Sequence, residues 1–188
     1  MRLLFSTLLF FLLSASVPAT FAAEEAADRK LAFEAIVLRV QDGDSLLIRR
    51  RGQTRNERLR LSAIDAPERG QPHGDASRAA LAALIDGERI RVVPVKKDRY
   101  GRLVGRVGIN ERDIGLAMLE GGHAWYFRRY RRDLPVELRK PYERAEARAR
   151  EAGIGLWRDP AAQAPWRYRS GQRDQRGEAS DRARRSPS

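Results

Sequence analysis

Short apolar runs bounded by turn residues, followed by one segment of strict alternation, mark the first ordered-looking part of the chain. Phe33 to Val40 carries Ile36, Val37, Leu38 and Val40 and predicts a first strand. Asp42-Gly43 is a turn signal, and Ser45 to Arg50, with Leu46, Leu47 and Ile48, predicts a second strand. Arg51-Gly52-Gln53 turns the chain again. Glu57 to Ile64 then sets Leu59 and Leu61 against Arg58 and Arg60 as a third strand. After a loop from Pro67 to Pro72, Asp75 to Asp86 predicts a helix with Ala76, Ala79, Ala80, Ala83 and Leu84 as its apolar stripe and Gly87 as its stop. Glu88 to Val95 and Leu103 to Ile109 predict strands four and five. Asp113 is placed to cap a short helix through Leu119, and a last helix is expected from near Pro141 to Gly153. Three meandering strands, a helix, two strands and further helices define an α+β domain. Five short strands of this kind commonly close into a barrel of the OB type, here with about three helices.

The two ends read differently from this body, which runs from about residue 33 to 157. Residues 1–22 have Arg2, an almost wholly apolar Leu3 to Leu13 and small residues after it, the pattern of a secretory signal peptide. The apolar run is short for a span, so no stable membrane span is expected after cleavage, and the mature protein is expected in a periplasm or outside the cell. Residues 167–188 hold seven arginines against three acids and one aromatic, Tyr168. So little apolar surface cannot offset the entropy of ordering, and a disordered basic tail is expected.

Charge changes the picture further. The net charge is +12 and the sequence pI about 11.0, which favours polyanionic partners: nucleic acid first, an anionic membrane surface as the rival. The absence of cysteine excludes disulfides, thiolate nucleophiles and cysteine-ligated zinc.

Against that basic background stand a few carboxylates at strand ends. Asp44 follows the first turn and Asp65 ends the third strand. If the first three strands form a meander, the two loops meet at one end of the sheet. There, two carboxylates, a backbone carbonyl and waters would make a Ca2+ site. Glu68, in the same loop as Asp65, can accept a proton from an attacking water or orient it. Arg60 and Arg102 can grip a phosphate and stabilise the charge that gathers on its oxygens in the transition state. His73 and His123 have no spacing to other groups that would make a hydrolytic triad or a zinc site, and read as a loop residue and a strand or rim residue. Trp125, Tyr126 and Phe127 read as core or rim aromatics, and Trp157 as a packing anchor.

The segments Asp42-Gly43-Asp44-Ser45, Arg60-Leu61-Ser62-Ala63-Ile64-Asp65-Ala66-Pro67-Glu68 and Asp98-Arg99-Tyr100-Gly101-Arg102, in this order and spacing, resemble the staphylococcal nuclease (thermonuclease) family. The likeness continues through Gly121-Gly122-His123-Ala124-Trp125 to Gly155-Leu156-Trp157 and covers about residues 33–157. It implies an OB-fold barrel and Ca2+-dependent cleavage of single- and double-stranded DNA and RNA, leaving 3′-phosphates, by a monomer. By resemblance, Asp44, Asp65 and the Ala66 carbonyl match the metal ligands, and Arg60, Glu68 and Arg102 the catalytic set. Arg99 and Tyr100 match substrate contacts. Tyr130 matches one of two base-stacking tyrosines, and Arg128 stands at the other position. The loop from Arg69 to Gly74 is shorter than that of the best-known member.

Two other classes fit the basic composition: a barrel that binds nucleic acid without cutting it, and a basic structural protein of the cell envelope. The first has typically lost the acids, which are all present here. The second predicts no chelator-sensitive cleavage.

Overall fold

A computed structural model describes residues 31–185, with side chains described through residue 175. The signal peptide expected over residues 1–22 lies outside the described residues. The strands are β1 (Phe33–Val40), β2 (Ser45–Arg50), β3 (Asn56–Leu61), β4 (Ile64–Asp65), β5 (Arg89–Lys97), β6 (Leu103–Ile109), β7 (Arg112–Asp113) and β8 (Trp125–Tyr126). The helices are α1 (Gly74–Ile85), α2 (Ile114–Glu120), α3 (Val136–Glu151) and α4 (Pro165–Arg185), with short 3-10 turns at Arg128–Asp133 and Gly155–Arg158.

Antiparallel pairing runs in the order β3-β2-β1-β5-β6, with the two-residue β7 appended to β6. A parallel pairing of β3 with β6, Leu59 opposite Leu103 and Leu61 opposite Gly105, closes five strands into the OB-type barrel. Closure removes the open edge that a five-stranded sheet would otherwise present. Val37, Leu46, Ile48, Leu59, Leu61, Ile90, Val92 and Val107 are buried and fill the interior. Gly105 lets the closing strands approach: a Cβ there would meet the Val93 carbonyl oxygen at 2.8 Å.

Several expectations are corrected in detail. The third strand stops at Leu61, because Ala63 takes a positive φ of 59° and turns the chain back before β4. β4 pairs instead with β8, Ile64 opposite Tyr126 and Asp65 opposite Trp125. Helix α1 buries Gly74, Ser77, Leu81 and Ile85, while Ala76, Ala79 and Ala83 face outward. Leu81 and Ile85 remove far more apolar area from water than alanines do, so they set the helix's rotation. Ser77, brought inside with them, donates its hydroxyl to the His123 carbonyl at 2.7 Å.

Helix α3 begins at Val136, five residues before the expected start, and carries Pro141 within it. Its buried face, Tyr142, Ala145, Glu146 and Ala149, continues without a break, so packing overrides the lost backbone bond. Asp113 caps α2 by accepting from the Leu116 amide at 2.9 Å, and the buried Tyr142 hydroxyl donates to the same carboxylate at 2.6 Å.

The largest departure is at the C-terminus. From Arg167 disorder is expected, yet Pro165–Arg185 is helix α4. Pro165 suits a first turn, and Trp166 supplies the anchor that the rest of the segment lacks. Its ring stacks on Phe127 with centroids 5.2 Å apart and planes at 10°. Trp166 joins a second apolar cluster built on Trp125, Leu156 and Ala164.

Candidate active site

The site lies where the β1–β2 turn and the β3–β4 loop meet at one end of the barrel. The Asp44 carbonyl accepts the Leu61 amide at 2.8 Å, locking the two loops together by backbone. Asp44 and Asp65 are 3% and 0% exposed, so both carboxylates have lost nearly all water. Burial on that scale is tolerated only with charged partners. Arg60 supplies them: Nη1 donates to Asp44 Oδ1 at 2.8 Å and Nη2 to Asp65 Oδ1 at 2.7 Å. One guanidinium thus spans both acids, which sets how close they lie. Burial pulls the Arg60 pKa down, but the Asp44 and Asp65 charges outweigh it and hold the group above its usual range.

The remaining Asp44 contacts come from Ser45 Oγ at 2.8 Å and the Ala66 amide at 3.1 Å, so it is the amide of residue 66 that meets the acid. Asp42, which sequence reasoning did not single out, accepts the Asp44 amide at 3.0 Å. Desolvation, then the Asp44 charge, raises its pKa to about 7. Between these aspartates, Gly43 has no room for a side chain: a Cβ would meet Ser77 Oγ at 1.9 Å and the Ala66 Cβ at 2.7 Å. Gly43→Ala is expected to cost about 1–3 kcal/mol of stability, the usual scale of overpacking, read as a lower melting temperature.

Glu68 is half-exposed and sits beside Asp65 in the same loop. Its amide donates to Gln71 Oε1 at 3.0 Å, which orients the loop. The structure therefore brings Asp44, Asp65, Ala66, Arg60 and Glu68 together. Among the described residues no three carboxylate or imidazole side chains are grouped as a metal cage. A cation here would draw on two carboxylates, a backbone carbonyl and water. That all-oxygen set suits a hard cation such as Ca2+.

Arg102 is on the neighbouring strand's approach but is engaged elsewhere. Its Nε donates to Asp98 Oδ2 at 2.8 Å, and its backbone amide to Asp98 Oδ1 at 3.0 Å, inside the β5–β6 turn. Val104, two residues on, stands opposite Arg60 in the parallel ladder, so Arg102 lies at a register position on the same face as Arg60. Arg99 donates to the Tyr100 hydroxyl at 2.7 Å, and both stand exposed at the tip of that turn. Tyr130 is exposed on the 3-10 turn after β8, with Lys96 Nζ 4.6 Å from its ring centroid and Phe127 packed edge-on. None of these three contacts Asp44, Asp65 or Glu68.

His123 is held below its usual pKa by burial. His73 Nε2 contacts Asp159 Oδ2 at 3.0 Å. Neither touches the acid cluster. Trp125 and Tyr126 are buried, and Trp157 packs edge-on against Trp125 at 5.2 Å.

One site residue was missed altogether. Arg169, on α4, donates from Nη2 to Asp65 Oδ2 at 2.7 Å and from Nη1 to Asp65 Oδ1 at 3.2 Å; Nη1 also binds Glu68 Oε1. The available signal was Ala164-Pro165-Trp166, a helix start with an aromatic anchor, which places Arg169 one turn in.

Residues 58–159 match the family model described as staphylococcal nuclease homologue. Micrococcal nuclease of Shigella flexneri is 37% identical over 146 residues, covering 73% of this chain and 80% of that protein. A Haemophilus influenzae protein described as an uncharacterized endonuclease is 35% identical over 133 residues, covering 70% and 71%. A protein of Oryza sativa subsp. japonica named as a probable staphylococcal-like nuclease is 38% identical over 125 residues, 66% of this chain; the match spans 32% of that longer protein. The chain belongs to the staphylococcal nuclease family.

Proposed function

We propose that this protein is an exported, Ca2+-dependent endonuclease that hydrolyses phosphodiester bonds of DNA and RNA with little base specificity. The observation that supports it most is the pair of buried aspartates within reach of one guanidinium, with the half-exposed Glu68 beside them. A structural core has no use for two desolvated acids at a barrel mouth. A phosphodiesterase does, because its transition state is stabilised by fixed charge around phosphorus. Export rests on the sequence of residues 1–22; among the described residues no helix is long and apolar enough to cross a membrane.

Asp44, Asp65 and the Ala66 carbonyl would hold the cation. When bound, it supplies positive charge at the phosphate and favours a polarised water nearby. Glu68 accepts a proton from the attacking water. Arg60, held by the two aspartates, faces the phosphate and stabilises charge on its equatorial oxygens. Arg102 reaches the same phosphate from the adjacent strand once it leaves Asp98. Water adds in line at phosphorus, the bond to the 5′-oxygen breaks, and that oxygen takes up a proton, leaving a 3′-phosphate. The exposed Tyr130 offers a flat face to a base without reading its edge, and the exposed Tyr100 offers a hydroxyl to a phosphate, which fits low sequence specificity.

The direct test is incubation of the purified mature protein with single- and double-stranded DNA and RNA, with Ca2+ and with excess chelator. Cleavage that persists in chelator would overturn the Ca2+ reading, and binding without cleavage would leave a nucleic-acid platform. Glu68→Gln keeps the size of the side chain and removes its basicity. Turnover is expected to fall by ~10²-fold or more while nucleic-acid binding survives. Near-normal turnover in that variant would take Glu68 out of the mechanism.

A further inference from the structure

We propose that helix α4 is an autoinhibitory strap, with Arg169 competing against the divalent cation for Asp65 and occupying the proton acceptor Glu68. The inference rests on the nuclease reading above and adds a control on the same site. Its basis is where the guanidinium sits. Arg169 takes both oxygens of Asp65 and one of Glu68. Asp65 Oδ1 already accepts from Arg60, so with Arg169 bound three of the acid's roughly four acceptor sites are taken and one on Oδ2 is left. A lone pair that receives an N–H cannot at the same time bind a cation. The Glu68 oxygen that Nη1 engages is also closed to an attacking water. Closed, the strap opposes both jobs that the mechanism gives these two acids.

The strap is seated by contacts that have no part in phosphate chemistry. Trp166 stacks on Phe127. Gln71 Nε2 donates to the Gln163 carbonyl at 2.6 Å, while its Oε1 holds the Glu68 amide at 3.0 Å. The Tyr168 hydroxyl donates to the Gly70 carbonyl at 3.3 Å, and His73 contacts Asp159. The loop that carries Glu68 is therefore tied at three points to the segment that delivers Arg169, and Trp166 on Phe127 fixes that segment to the chain after β8. These ties raise the effective concentration of the guanidinium at the acids far above that of a free arginine.

Charge favours an exchange over simultaneous occupancy. Asp44, Asp65 and Glu68 carry three negative charges, and Arg60 and Arg169 offset two of them. With Arg169 in place, a divalent ion meets one net negative charge; with it withdrawn, two. Arg169 keeps a 34% exposed side chain, so it can swing out to solvent without unfolding the barrel. Cation entry then requires opening, and the apparent affinity is reduced by the fraction of molecules already open.

The test uses the full mature chain and its variants Arg169→Gln and Trp166→Ala. The first removes the charge at the acids. The second loosens the seat and leaves Arg169 in place. Ca2+ binding is measured by titration calorimetry without substrate, and cleavage of single-stranded DNA across a Ca2+ series. If the strap is closed about nine-tenths of the time, Arg169→Gln should bind Ca2+ ~10-fold more tightly. Trp166→Ala should shift in the same direction by less. Both should cleave faster at limiting Ca2+ and converge with the unaltered chain when Ca2+ saturates. Equal or weaker Ca2+ binding by Arg169→Gln, in a background where the unaltered chain binds Ca2+ and cleaves, would overturn the strap alone. A fall in saturated turnover with unchanged Ca2+ affinity would overturn it in favour of Arg169 as a phosphate clamp. Absence of both Ca2+ binding and cleavage in all three proteins would overturn the strap together with the nuclease reading.

Discussion

Asp44→Asn is expected to abolish cleavage, together with the stabilisation that Ca2+ would confer at the proposed cation site. In the unaltered protein a ligand that binds only the folded state adds about 2.7 kcal/mol at a hundred times its dissociation constant. Much of that gain depends on the Asp44 charge, one of two carboxylates in the donor set. The amide is nearly isosteric, but it cannot reproduce the contacts. Asp44 Oδ1 accepts from Arg60 and Ser45, and Oδ2 from the Ala66 amide. Whichever way the new amide turns, its NH2 faces a donor in a site with almost no water. One buried donor is left unmet, at a cost of about 1–3 kcal/mol in the cation-free protein. Melting temperature with and without Ca2+, alongside a cleavage assay, separates the two effects. A Ca2+-induced rise as large as in the unaltered chain would remove Asp44 from the cation site.

Arg60→Lys carries the second large effect. The guanidinium reaches Asp44 through one nitrogen and Asp65 through the other. An ammonium is a single point and can serve only one of them well. The other aspartate keeps its burial and loses a partner, though Arg169 still contacts Asp65. The loss in the cation-free protein is therefore expected at or below the low end of the 3–5 kcal/mol seen when a buried pair is broken. Ca2+ should restore much of that stability, because it can replace the missing positive charge between the acids. Turnover should not recover with it. The planar fork that meets two phosphate oxygens is gone, and a fall of ~10²–10³-fold is expected, the scale of removing one preorganised donor to a transition state. Substrate affinity should change modestly, since charge is preserved. Full activity in Arg60→Lys, or a stability deficit that Ca2+ leaves untouched, would contradict the bridging role.

How legible the site was can be judged from its members. Asp44, Asp65, Ala66, Arg60 and Glu68 sit in contiguous motifs at strand ends, so once β1, β2 and β3 are read as a meander their convergence follows. Arg102 is legible as a motif residue, but its Asp98 partner is set by the backbone of the β5–β6 turn, where Gly101 has a φ of 73°. Arg169 lies 101 residues beyond Glu68 among many arginines, and the helix start at Pro165-Trp166 puts it one turn into a helix without saying where that helix docks. Its place is set by Trp166 finding Phe127, a contact between distant segments that no period encodes.

The same division holds for the fold. Strands β1, β2, β5 and β6 are written locally, as short apolar runs such as Leu46-Leu47-Ile48 bounded by Asp-Gly and Gly turns. The Asp113 cap is equally local. Closure of the barrel through Leu59 and Leu103 is not, since it pairs segments more than forty residues apart and depends on Gly105 admitting the Val93 carbonyl. Strands β4 and β8 are two residues each, too short to carry a period, and exist only because they meet. Helix α1 turns its leucine and isoleucine inward over its alanines, and α3 runs through Pro141, because the area each face can bury is decided by what stands opposite. Sequence alone determined the local turns, strands and acid-bearing loops; the tertiary structure decided which distant surfaces meet. That is why it alone could place an arginine of the C-terminal helix on the acids of the barrel mouth.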